Sequence, residues 1–89
     1  MDLMTQYVGI LDGSGKVYGV RLPDLPGCYG GGATPEAAIA DAMSAAREWI
    51  SHGETKGEAA PKARTMVQIL KSESIDAEEN EVAVMLRMG

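Results

Sequence analysis

The 89-residue chain has no phenylalanine, one cysteine and one histidine, and its 8 Lys and Arg are outnumbered by 13 Asp and Glu. A lone cysteine, Cys28, excludes an internal disulfide framework, and with His52 as the sole histidine there is no Cys/His set at zinc spacing. The compartment that suits such a chain is a reducing cytoplasm. Shortage of basic residues, giving a net charge of −5, removes the long-range attraction that phosphate backbones need, so direct nucleic-acid binding is not expected. The acidic balance favours a basic partner instead. No apolar run reaches the roughly 18 residues of a membrane span, and the N-terminus lacks the basic and apolar regions of a secretory signal. At this length one small domain over residues 1–89 is expected, with no separate DNA-binding module. So small a core is marginal, and self-association is a natural expectation.

What is present divides into short strands and one long helix. Residues 5–11 are rich in β-formers and end in Asp12-Gly13-Ser14-Gly15, a turn cluster leading into 16–22, so the pair reads as a hairpin. In the second strand Tyr18, Val20 and Leu22 alternate with Gly19 and Arg21. In the first, Leu3, Val8 and Ile10 compete with Tyr7 and Leu11 for the inner face. Residues 28–32 read as a short, glycine-heavy third strand. Thr34 is a good N-cap, Pro35 suits the first helical position and Glu36 complements the helix dipole. Beyond them Ala38, Ile39, Ala42, Met43, Ala46, Trp49 and Ile50 recur at helical spacing, with Trp49 expected in the core and Gly53 as the stop. Residues 51–61 read as an exposed connection. Ala63, Met66, Val67 and Leu70 form a stripe that predicts a second helix over 61–72. Five acids in 72–81 mark a solvated loop, and 82–88 reads as a last strand in preference to a helix fragment. The whole is an α+β sandwich: a three-stranded antiparallel meander, a long helix, a short helix and a final strand.

One block carries more than secondary structure. In Leu22-Pro23-Asp24-Leu25-Pro26-Gly27-Cys28-Tyr29 the two prolines fix φ and push Leu22 and Leu25 towards extended backbone; Gly27 can take a positive φ, and Asp24 can accept from amides just ahead of it. By these properties alone the block is a rigid connector. With Thr34, Pro35, Glu36, Ala37 and Ala38 opening a helix shortly after, it resembles the signature of HicB antitoxins, the neutralising halves of bacterial toxin–antitoxin pairs. Leu22 stands where that family often has an aromatic, and Ala33 where it usually has an acid. The resemblance covers about half the chain, residues 7–50.

The resemblance implies a partial RNase H-like fold used for inhibition, with no catalytic residues and no cofactor. It also implies a partner: a small, basic HicA-like toxin that cleaves RNA with the help of a histidine and is silenced when the antitoxin covers that site. The acidic run and last strand, represented by Glu78, Glu79, Glu81, Val82 and Val84, are the expected contact surface.

Two readings from other classes stand beside it. A metal-dependent nuclease of the RNase H type would need carboxylates converging on divalent ions, and Asp12, Asp24, Asp41 and Glu48 are the candidates, though no spacing forces them together. A stand-alone oligomeric module with an unrelated partner is the third. The glycines before Thr34 lack the lysine of a P-loop, and Pro35 removes an amide an anion would use. Cys28 has no paired base and reads as a small buried hydrophobe, and His52 as a partner for the last carbonyls of the helix.

Overall fold

A two-residue reversal at Gly15-Lys16 joins β1 (Gln6–Ser14) to β2 (Val17–Arg21). Gly15 has φ of +64°, the left-handed value that the first position of such a hairpin turn requires. The turn therefore falls after the Asp12-to-Gly15 cluster has begun: Asp12 and Gly13 are strand residues, paired with Gly19 and Tyr18. In the computed structural model, which describes residues 6–75 and 80–88, the chain continues through β3 (Tyr29–Gly32), α1 (Pro35–Thr55), α2 (Met66–Ser72) and β4 (Val82–Arg87). All neighbouring strands are antiparallel and their order is β3-β2-β1-β4. The expected α+β class and element order hold, and the last strand returns to the far side of β1 to complete a four-stranded sheet.

The competition over the inner face of β1 has a simple resolution: both faces are buried. Tyr7 lies opposite Leu86 and Leu11 opposite Val20, all on the side of α1. Val8 and Ile10 alternate to the other side, yet are 1% and 0% exposed. A central strand covered on both faces shows a continuous apolar run in place of alternation.

The main core lies between the sheet and α1. It holds Tyr7, Val20, Leu22, Leu25, Cys28 and Leu86 against Ala38, Ala42 and Ala46. The alanines recur every four residues along one helical stripe, and β3 meets that stripe with glycines. A Cβ on Gly30 would lie 2.2 Å from the backbone nitrogen of Ala42, and one on Gly32 2.7 Å from the Cβ of Ala37. These glycines allow helix and strand backbones to touch, which accounts for their clustering before the helix better than an anion cradle does. Thr34 caps α1 as expected, its hydroxyl accepting from the amide of Ala37 at 3.0 Å.

Four expectations need correction. Helix α1 runs through Gly53 to Thr55 and is stopped by Gly57, whose φ is +79°. Helix α2 begins at Met66 rather than residue 61, because Thr65 and Gln68 form a reciprocal capping box that fixes the start there. Its buried residue is Ile69, whereas Val67 and Leu70 of the expected stripe are exposed. Trp49 is half-buried at the margin of the core.

Replacing Gly30 by alanine forces helix and strand apart. Overpacking of this kind costs about 1–3 kcal/mol, and backbone contact places Gly30→Ala at the upper end, measurable as a lowered urea midpoint with an unchanged m-value.

Candidate functional site

The motif turn is a rigid platform built from its own residues. Leu22, Leu25 and Cys28, three apart in sequence, all enter the core. Their backbones close on one another: Leu25 N–H donates to Leu22 O at 3.1 Å, Cys28 N–H to Leu25 O at 3.0 Å and Leu22 N–H to Cys28 O at 3.3 Å. Pro26 and Gly27 are left at the surface, and Gly27 takes φ of +83°. Pro23 lies half-buried between Leu22 and Asp24. Cys28 is buried, and that burial pushes its thiol pKa up, as suits a small core residue rather than a nucleophile.

Two long-range contacts lock the platform. The Asp24 carboxylate was expected to bind amides just ahead of it, but it accepts from Arg64, forty residues on: Oδ2 from the backbone amide at 2.8 Å, Oδ1 from Nε at 2.6 Å. The Asp24 side chain is only 7% exposed. Arg64 also donates to the Ser72 hydroxyl at 2.9 Å, so one guanidinium joins the turn to the C-terminal end of α2. From the other side Trp49 Nε1 donates to the Pro26 carbonyl at 3.1 Å. This bond explains why the tryptophan stays at the margin, since an indole N–H needs a partner when its ring is covered. Nearby, the Tyr7 hydroxyl donates to the Pro61 carbonyl and pins the segment between the helices to β1.

Beside the platform runs a shallow groove of about 530 Å³ lined by Gly27, Cys28 and Tyr29 with Ala45, Glu48, Trp49 and His52 of α1. Tyr29, set just after the motif, is 66% exposed. The exposed surface of α1 carries Glu36, Asp41, Glu48 and Glu54 with Arg47, and of these acids Glu48 lines the groove, beside His52. This is an acidic surface with an aromatic ridge, and sequence reasoning passed over Tyr29 because it read as one more strand residue.

The four carboxylates considered for a metal centre lie apart. Asp12 is 3.9 Å from Arg21, Asp24 is held by Arg64, Asp41 accepts from the Gly31 amide at 2.9 Å, and Glu48 lies on the groove. No group of three His, Cys, Asp or Glu residues suited to a metal occurs among the described residues. Of the expected contact residues, Glu78 and Glu79 lie outside the described residues. Glu81 is 2.9 Å from Arg21 and Val84 packs on the core margin, leaving Val82 exposed. His52 sits in the last turn of α1, its carbonyl accepting from Thr55 Oγ1 at 2.7 Å.

The fold is one already seen in toxin–antitoxin proteins. A chain of the HicA3 and HicB3 toxin–antitoxin complex superposes with a TM-score of 0.72 at 17% identity, over 91% of this chain and 94% of that one. The N-terminal domain of the Burkholderia pseudomallei antitoxin HicB superposes with a TM-score of 0.71 at 22% identity, over 91% of this chain and 94% of that one. A longer HicB structure from the same organism gives 0.71 at 25% identity, over 93% of this chain but 62% of that one. No curated protein matches the sequence. The fold is therefore that of the N-terminal domain of HicB proteins. The sequence pattern of the HicB-like antitoxins of bacterial toxin–antitoxin systems matches residues 7–86, and the chain belongs to that family.

Truncating Asp24 to alanine removes both charge-assisted bonds to Arg64 and is expected to cost about 2–3 kcal/mol in chemical denaturation; Arg64→Ala, which strands a buried carboxylate, costs at least as much. Burial, and secondarily the charge of Asp24, raise the Tyr7 hydroxyl above its ordinary pKa of 10.0. The folded state thus holds that proton more tightly than the unfolded chain. Its contribution is intact below pH 10 and lost as pH climbs from that value through the folded one. Tyr7→Phe is expected to flatten the alkaline arm of the stability–pH curve.

Proposed function

We propose that this protein neutralises a small, basic HicA-like RNA-cleaving toxin in the cytoplasm by binding it directly, contributing no catalytic group of its own. The observation that carries this reading is the family match over residues 7–86. The surface described above supports it. An acidic helix face complements a basic partner and speeds encounter, while Tyr29 beside Trp49 offers an aromatic anchor of the kind that dominates interface energies. We place the toxin on this groove, with Tyr29 and Glu48 at its centre. The carboxylate of Glu81 is less suited, because it already answers Arg21. The chain acts as one toxin-binding unit and as a homo-oligomer.

Co-expression with the small basic protein encoded beside its gene tests the reading. Co-purification together with restored growth is the expected result; a neighbour that is toxic but neither binds nor is relieved would sink it. Tyr29→Ala and Glu48→Arg, both on the surface of the free protein, are each expected to weaken toxin binding by about 1–2 kcal/mol in titration calorimetry, with thermal stability unchanged.

A further inference from the structure

Tyr29 borders two hollows of different chemistry. One, of about 250 Å³, also holds Arg21 and Glu73, and Arg21 is already paired with Glu81 at 2.9 Å. The other is the groove of about 530 Å³ beside the motif turn. Its helical side is formed by Ala45, Glu48, Trp49 and His52, which fall at i, i+3, i+4 and i+7 and so share one stripe of α1. Gly27 and Ala45 contribute little bulk, so the groove is bounded by two aromatic side chains, a carboxylate and an imidazole. The indole N–H of Trp49 is spent on the Pro26 carbonyl, and what Trp49 has left to offer is its ring. Glu48 differs from the other carboxylates described above. Asp12, Asp24, Asp41 and Glu81 each have a donor of this chain beside them, whereas Glu48 has no hydrogen-bond or ion-pair partner among the described residues.

We propose that this groove is an arginine subsite: an arginine side chain of the partner protein pairs its guanidinium with Glu48, lays it on the ring of Tyr29 and runs its methylene stem along Trp49. The proposal rests on the toxin-binding reading of the same groove and names the group that the basic partner brings to it. An anionic group is excluded by Glu48 and by the net charge of −5. A purely apolar side chain strips water from Glu48 without answering it. Between the two cationic side chains the aromatic ring decides. A guanidinium is flat, weakly hydrated and able to stack on a π face while its N–H fork meets a carboxylate with two parallel bonds. The lysine ammonium is a strongly hydrated point charge, and a groove this shallow gives it little in exchange for its water. Tyr29 and Trp49 also cover the stem below the charged head, as long basic side chains require.

Trp49 is the sole tryptophan of the chain, so its fluorescence reports directly on the groove. The test is a titration of the full chain with two capped tripeptides, Gly-Arg-Gly and Gly-Lys-Gly, at equal ionic strength. The arginine peptide is expected to change the Trp49 emission saturably, with a midpoint about threefold or more below that of the lysine peptide. Tyr29→Leu, which keeps an apolar side chain but removes the ring, is expected to bring the two midpoints together, and Glu48→Gln to weaken both peptides. Both positions are exposed, so neither change touches the core. Equal midpoints in the native protein, no response to either peptide, or an arginine preference that survives Tyr29→Leu overturns the subsite. These titrations contain no toxin, and their outcome is separate from that of the co-expression test. A toxin that co-purifies while the arginine peptide fails removes the subsite alone, and a peptide preference without a toxin partner removes the antitoxin reading alone.

Discussion

The closure of this fold depends on one buried carboxylate. Chain order places α1 across the sheet, after which the polypeptide must travel from the helix's far end to the opposite edge to supply β4. The described part of the return path, residues 56–75 and 80–81, has few means of holding itself in place: a seven-residue helix is too short to persist alone, and Ile69 is its one buried residue. Asp24 provides the missing anchor. By accepting both from the backbone and from the side chain of Arg64 it binds the return path to the motif turn. Through the guanidinium it also binds the end of α2 at Ser72. Because that carboxylate is almost wholly removed from water, its two bonds act in a low-dielectric setting, where they are stronger and where losing either partner leaves a costly charge behind.

The composition explains the shape of the core. With no phenylalanine, the chain fills its interior by bringing backbones together rather than by spanning gaps with large rings. Gly30 and Gly32 on β3 meet Ala38 and Ala42 on α1 at contact distance, and the bulkier Tyr7, Leu22, Leu25 and Leu86 fill the wider side. The helix is consequently closest to the sheet at β3 and stands off towards β4. Tyr29, at the start of β3, alternates with Gly30 and Gly32, the positions that meet α1, and so stays exposed on the groove beside Trp49.

Much of this was legible in the residues. The Thr34-Pro35-Glu36 start of α1, the alanine stripe and the proline-bounded turn are local signals whose physics does not depend on the rest of the chain, and each appears where expected. The features that escaped are those decided at a distance. Asp24 finds Arg64 instead of its neighbours, and no spacing rule connects positions forty apart. In β1 both apolar sets are buried, which only the arrival of β4 and α2 makes sense of. The capping box Thr65–Gln68 was present in the sequence, but Ala63 drew the stripe too far towards the N-terminus; in seven residues, helical periodicity does not decide that Ile69 rather than Leu70 turns inward. The family resemblance rested on the motif turn, in which Leu22, Leu25 and Cys28 enter the core and Asp24 holds Arg64.

In the role proposed for this chain, binding gains most from a surface that does not have to be ordered when the partner arrives. The motif turn meets that need mechanically. Its three apolar side chains are buried, its backbone closes on itself, Arg64 holds it from one side and Trp49 from the other. Tyr29 therefore stands on a base with little freedom left to lose, and the flanking acids are carried on a 21-residue helix capped at its start and locked against β3.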